Sequence, residues 1–184
     1  MDPKELSTNF SISKDDKACD HLVNNQIPSI SLPNQDGNLL KLDRLDTFRL
    51  VLFCFSMTGR PDKQLPPKWN LIPGAKGCTS QNCSFRDKYD ELITLNAIPI
   101  GVSTQSVEDL KEMVDRLNIP FDVVSDFFLE FKKKLNPPSF SIGDKIFLKR
   151  ATFIIEKSII KKIFYPIFSP NKHILDVLEW LKSN

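Results

Sequence analysis

Two cysteines, Cys78 and Cys83, lie five positions apart in the run Ile72-Pro73-Gly74-Ala75-Lys76-Gly77-Cys78-Thr79-Ser80-Gln81-Asn82-Cys83-Ser84-Phe85-Arg86-Asp87. A glycine-rich turn leads there straight into a helical pattern, and Cys78 stands at the junction. The first amides of a helix have no intrahelical partner, and the helix dipole is positive at that end. Both effects favour a thiolate over a thiol, which makes Cys78 a candidate nucleophile at neutral pH. Cys83 comes about one and a half turns later. The arrangement points to chemistry on sulfur.

The elements that must position these sulfurs can be read from hydrophobic periodicity. Leu50-Val51-Leu52-Phe53-Cys54-Phe55 is apolar on both faces, as a central buried strand is. The segment 56–77 carries Pro61, Pro66, Pro67 and Pro73. It reads as a long ordered loop, and loops of that length in a compact domain usually carry function. Phe85, Tyr89 and Leu92 recur at helical spacing and predict a helix over 79–95. Ile98 to Ser103 is a second core strand. Ser106 opens a capping box with Asp109, and Val107, Leu110, Val114 and Leu117 line one helical face.

Elsewhere, Ile27 to Leu32 and Leu39 to Leu42 predict a hairpin around Asp36-Gly37. Residues 121–125 read as a short strand and 127–135 as a helix ended by Asn136-Pro137-Pro138. Arg150 to Ile155 and Ile159 to Tyr165 predict a second hairpin. Ser169-Pro170 reads as the start of a last amphipathic helix with Ile174, Val177, Leu178 and Leu181 on its apolar face. The order of elements predicts an α/β domain with a central mixed β-sheet flanked by helices. A cysteine at a helix start after the central strand is what a thioredoxin-like fold provides. Residues 1–26 are polar and lack periodicity, which predicts a flexible N-terminal arm ahead of a domain over 27–184.

Composition narrows the function classes. The chain has 184 residues, 25 basic and 23 acidic, a formal charge of +2 and 41% hydrophobic residues. So near a balance argues against a nucleic-acid protein built on bulk charge. No apolar run approaches the ~20 residues of a membrane helix, and the polar N-terminus has no signal-peptide pattern. A cytoplasmic setting is therefore the expectation, where four cysteines serve chemistry or packing rather than a disulfide framework. Cys54, within an apolar strand, reads as a core residue. Cys19 reads as a bystander in the polar arm, His173 as a solvated residue of the last helix, and Trp69 as either a wall of the active-site mouth or a pin holding the long loop to the core.

The run around Cys78 resembles the active-site segment of the peroxiredoxins, closest to an atypical single-chain type with a second cysteine five residues after the first, as in the bacterioferritin-comigratory-protein and peroxiredoxin Q group. Thr58-Gly59-Arg60-Pro61, Gly101-Val102-Ser103-Thr104-Gln105 and Lys149-Arg150-Ala151-Thr152-Phe153-Ile154-Ile155 match in the same order, over roughly residues 27–182. The resemblance implies that Cys78 is the peroxidatic cysteine, Cys83 the resolving cysteine, and Arg150 the arginine beside the thiolate. It implies a peroxide substrate, a thioredoxin or similar dithiol reductant, a monomer or dimer, and no metal or organic cofactor. The sequence departs from the family pattern at Leu71 and Ala75, where proline and threonine are usual.

Ionisation of such a thiol is worth only about thirtyfold at pH 7. The rest of a peroxidase's rate must come from donors that stabilise the leaving oxygen, for which Arg150 and turn amides are the candidates. A thioredoxin-type disulfide oxidoreductase is the first rival reading, although four residues separate the cysteines where that role usually has two. A redox-switched binding or holdase protein is the second.

Overall fold

A computed structural model describes residues 15–45 and 48–184. Nine strands and five α-helices occur in the order β1 (Ser31–Pro33), β2 (Leu39–Lys41), β3 (Arg49–Cys54), α1 (Cys78–Asp87), α2 (Tyr89–Thr94), β4 (Ala97–Ser103), α3 (Val107–Leu117), β5 (Val123–Ser125), α4 (Glu130–Leu135), β6 (Ser139–Ile142), β7 (Lys145–Leu148), β8 (Ala151–Glu156), β9 (Ile159–Phe164) and α5 (His173–Ser183) among the described residues. The main sheet has the order β5-β4-β3-β8-β9. β3 runs parallel to β4 and antiparallel to β8, so the sheet is mixed and β3 lies at its centre. This is the thioredoxin-like arrangement that the sequence predicts.

β3 is buried along its whole length because alternate side chains feed two cores. Leu50, Leu52 and Cys54 join one cluster with Leu22, Ile27, Ile100, Phe131 and Leu135. Val51 and Phe53, with Phe55 just beyond the strand, join the other with Phe85, Leu92, Leu110, Val177 and Leu178. Helices α1, α2, α3 and α5 therefore cover one face. The chain before β1 covers the other together with α4. Each fully buried large apolar side chain contributes about 1.5–3 kcal/mol. This burial on both faces makes β3 a rigid base for the loop and helix that carry the cysteines.

Ser106 caps α3 as predicted, its Oγ accepting the Asp109 N–H at 3.2 Å, but the reciprocal half of the box is replaced, because the Asp109 carboxylate pairs with Arg60 and Lys63. Other boundaries differ. The single helix expected over 79–95 is two helices, broken at Lys88. The helix expected from residue 127 begins only at Glu130, after Asp126 accepts the Phe131 and Lys132 amides. Ser169 does not cap α5 directly. Its carbonyl accepts the Lys172 and His173 amides in a preceding turn, and the helix starts at His173. The hairpin β6–β7 is an element beyond those expected, although Ile142-Gly143-Asp144-Lys145 between two alternating runs carries its signal.

The N-terminal arm needs a correction. Cys19 and Leu22 are buried in the main core, the Asn24 N–H donates to Ile160 O at 2.9 Å, and Gln26 bridges Ile159. The chain from residue 15 to 26 thus belongs with the domain. Two apolar residues in one short 3-10 turn are too few to register as a period, and tertiary burial alone reveals them. The first fourteen residues lie outside the described residues.

Gly101 connects the sheet to the helix that carries the cysteines. A Cβ there would meet Phe53 Cζ and Phe55 Cε1, each at 3.1 Å. Its absence lets the Phe53 ring stack on Phe85 of α1, with centroids 4.1 Å apart and planes at 11°. Gly101→Val should lower stability by about 1–3 kcal/mol, the usual cost of overpacking a filled core. Urea unfolding monitored by tryptophan fluorescence measures it, and an unchanged midpoint would contradict this packing.

Candidate active site

Cys78 is the first residue of α1, placed there by two glycines. Gly74 and Gly77 have φ of +81° and +99°, a region that side chains rarely tolerate. Gly77 is also the N-cap of α1, and a Cβ on it would lie 2.6 Å from Pro170 Cγ. Only glycine fits both the turn and the close approach of the chain leading into α5. The first intrahelical bond of α1 runs from the Gln81 N–H to Gly77 O at 2.9 Å. The amides of Cys78, Thr79 and Ser80 precede it, and they surround the sulfur's end of the helix.

Arg150 reaches the same point from the sheet. It is the residue before β8, whose Ala151 pairs with Cys54 at the end of β3. Its Nη1 donates to Lys76 O at 2.8 Å and lies 3.7 Å from Cys78 Sγ. Cys78 Sγ is in turn 3.8 Å from Ala75 O. The two contacts suit the two forms of the sulfur. An S–H donates to the Ala75 carbonyl, whereas a thiolate accepts from the guanidinium. Cys78 is 1% exposed and Arg150 7%, so the pair interacts with little screening by water.

The long loop from Ser56 to Gly77 is held at several points. The Thr58 amide donates to Gln105 Oε1 at 2.9 Å, and Arg60 pairs with Asp62, Glu108 and Asp109 at the start of α3. Trp69 is buried against Phe147 and Phe140 of the β6–β7 hairpin, in a cluster apart from the two main cores, so it pins the loop to that hairpin rather than to the core. Ala75 packs into this same cluster. The hydroxyl of Thr58 faces Gln105 Oε1 at 3.4 Å, and Thr79 is exposed on α1. With Ala75 in place of a hydroxyl residue, the side-chain donor at the sulfur is Arg150 Nη1.

Cys83 lies on the same helix, half-buried, with all four described cysteines free thiols. Arg86 and Arg116 lie within electrostatic reach of it. In a helix, five residues rise ~7.5 Å and turn ~500°, beyond the span a disulfide bridges. The structure thus brings Cys78 and Arg150 into contact and leaves Cys83 on the same element but out of bonding range. Cys54 is a core residue, as expected. Cys19 is also core, and burial with the nearby Asp15, Asp16 and Asp20 carboxylates pushes its thiol up to about 12. Neither offers a thiolate for chemistry.

Comparison with known proteins agrees with the geometry. The AhpC/TSA family profile matches residues 70–163, just over half of the 184-residue chain, a range that contains Cys78, Cys83 and Arg150. The chain belongs to the AhpC/TSA family. Relatives of this AhpC/TSA protein include chloroplastic peroxiredoxin Q of Populus jackii, 27% identical over 157 residues, covering 85% of this chain and 66% of the relative. Chloroplastic peroxiredoxin Q of Arabidopsis thaliana is 26% identical, with 85% and 65% covered. The chain thus spans about two thirds of the length of these relatives. Among solved structures, peroxidoxin BcpB from Mycobacterium tuberculosis superposes with a TM-score of 0.73 at 21% identity, covering 88% of this chain and 97% of that one. Peroxiredoxin Q from Xanthomonas campestris superposes with 0.68 at 18% identity, covering 91% and 93%. These likenesses establish the thioredoxin-like fold of the AhpC/TSA chain.

His173 corrects a further expectation. It is not solvated but 3% exposed, with Nε2 2.8 Å from Thr152 Oγ1 and its ring edge-on to Phe164. The hydrogen-bond partner and the turn from Ser169 draw the first residue of α5 inward, which a lone histidine in a sequence does not reveal. Burial lowers its pKa to about 4, against the opposing pull of Asp176. The unfolded chain, titrating near ~6.5, then binds this proton more tightly than the native protein does. Stability should rise with pH between about 4 and 6.5, by on the order of 3 kcal/mol, and His173→Gln should flatten that slope. Urea midpoints across this pH range test it; equal slopes in both proteins would contradict the assignment.

Proposed function

We propose that this chain is a thiol-dependent peroxidase that reduces hydrogen peroxide and organic hydroperoxides through Cys78, Cys83 and Arg150. The observation that carries the reading is the contact of Arg150 Nη1 with Cys78 Sγ at 3.7 Å, at the amide-rich start of α1. The Cys78 thiolate attacks the terminal peroxide oxygen. An S–O bond forms and the O–O bond breaks, so the sulfur is oxidised to a sulfenic acid and the peroxide is reduced. The departing alkoxide or hydroxide takes up a proton and leaves as alcohol or water. Arg150 and the α1 amides stabilise the negative charge that passes from sulfur to the leaving oxygen, and being fixed in place they need little reorganisation.

The Cys83 sulfur then attacks the sulfenic acid. An S–S bond forms, the S–O bond breaks, and water leaves. A dithiol of the thioredoxin kind restores both thiols by exchange and is itself oxidised to a disulfide. Such a cycle needs a reducing compartment that supplies the dithiol. The cytoplasm meets that requirement. The relatives' chloroplastic names support a plastid as the alternative setting. No described helix is long and apolar enough to cross a membrane.

Peroxide consumption with a thioredoxin system tests the whole cycle. Cys78→Ser should abolish it. Cys83→Ser should retain the first oxidation but lose turnover with thioredoxin. Arg150→Met should slow the first step by about 10²–10³-fold, the usual loss for one such donor. Full activity in Cys78→Ser would overturn the reading.

A further inference from the structure

Most of the buried side-chain polar atoms without a hydrogen-bond partner, among the described residues, lie on α1 and Arg150. Among the described residues, six buried side-chain N or O atoms have no hydrogen-bond partner, and four belong to Gln81, Asn82 and Arg150. Native proteins pair nearly all buried polar groups, so a cluster of exceptions at a reactive centre calls for a cause. Arg150 Nε has one in the guanidinium's other contacts, which fix it toward Lys76 O and Cys78 Sγ. Gln81 and Asn82 do not touch the sulfur by any hydrogen bond. They are both 0% exposed, on the buried face of α1 between Cys78 and Phe85. Neither the nitrogen nor the oxygen of the Gln81 amide has a partner. Asn82 donates from Nδ2 to Cys78 O at 3.0 Å but leaves its Oδ1 unpaired.

A buried amide without partners destabilises only the state in which it is buried. Unwinding the first turns of α1 returns Gln81 and Asn82 to water, where both amides are satisfied. That same unwinding is what Cys83 needs in order to reach Cys78, because the helical rise and rotation hold the two apart. The residues that make α1 easy to open therefore lie between the two sulfurs that must meet.

We propose that Gln81 and Asn82 are positioning residues that set how fast α1 opens, and so how fast Cys83 captures the Cys78 sulfenic acid. The proposal rests on the peroxidase reading of this same site. It has a chemical consequence. The sulfenic acid has two fates: attack by Cys83, with loss of water, or attack on a second peroxide molecule, which adds one more oxygen and releases water or alcohol to leave an irreversible sulfinic acid. Fast opening favours the first. Replacing Gln81 by an apolar residue of similar size stabilises the closed helix and shifts the balance toward the second; at Asn82 the same change removes the orphan oxygen, whose burial costs more than the lost Nδ2 bond to Cys78 O contributes.

The test uses the full reduced chain, mixed with hydrogen peroxide at one and at many equivalents, quenched with a thiol-blocking reagent and mapped by mass spectrometry. Gln81→Met and Asn82→Leu should each form the disulfide from the sulfenic acid about tenfold more slowly. Their ratio of sulfinic acid to disulfide at excess peroxide should rise by about the same factor, and hydrogen-exchange protection of α1 should increase in the reduced state. The partition ratio counts only molecules that have already reacted at Cys78, so a general loss of folded protein does not move it. Two variants keep the test informative if one fails to fold. Wild-type partition in both would overturn the proposal. Wild-type protein that forms sulfenic acid but no disulfide would overturn it too, leaving peroxide chemistry at Cys78 standing. Wild-type protein that forms no sulfenic acid would remove the peroxidase reading first and this proposal with it.

Discussion

The contact between the Cys78 sulfur and the Arg150 guanidinium is the constraint that the surrounding structure is arranged to meet. It joins two elements far apart in sequence: the start of α1 and the start of β8. Neither partner sets the distance alone. The arginine is fixed because β8 pairs with β3 in a register that places Ala151 opposite Cys54. The cysteine is fixed because Gly77 lets α1 begin against Pro170, and Phe85 of α1 stacks on Phe53 of β3. Both sides of the site are thus referred to the same central strand. That is why a β3 buried along its whole length matters to a site lying beyond its end.

Rigidity and mobility are distributed unequally around this contact. The sheet, the loop anchors at Thr58, Arg60 and Trp69, and the buried His173 at the start of α5 all hold the arginine side and the approach to the sulfur. α1 itself is ten residues long, opens on a glycine without a side-chain cap, and buries two polar amides. In the proposed cycle, the fixed arginine serves the first oxidation and the opening of α1 lets the second sulfur arrive. Water-exposed ion pairs such as those of Arg60 contribute little to stability individually. They serve here to restrain a loop that lacks regular structure.

Much of this architecture is legible in the sequence, and the reasons for the exceptions are physical. β3 and β4 can be read because buried strands are continuous apolar runs, and α3 because its cap and stripe agree. Cys78 can be read because glycines, a helix pattern and a cysteine coincide. Arg150 is reached only through resemblance: no local pattern links residue 150 to residue 78, and only the sheet register brings them together. Cys19, Leu22 and His173 escape a reading of the sequence because their burial is a tertiary property of short, polar-looking segments. Gln81 and Asn82 give no signal at all. Polar residues in a helix ordinarily face water, and their burial without partners is visible only in three dimensions.

One measurement tests the central claim most directly: peptide mapping of the reduced protein after a single equivalent of hydrogen peroxide. The account predicts that Cys78 and Cys83 become linked to each other while Cys19 and Cys54 remain thiols. Unmodified Cys78, or oxidation spread over the four cysteines without preference, would contradict it.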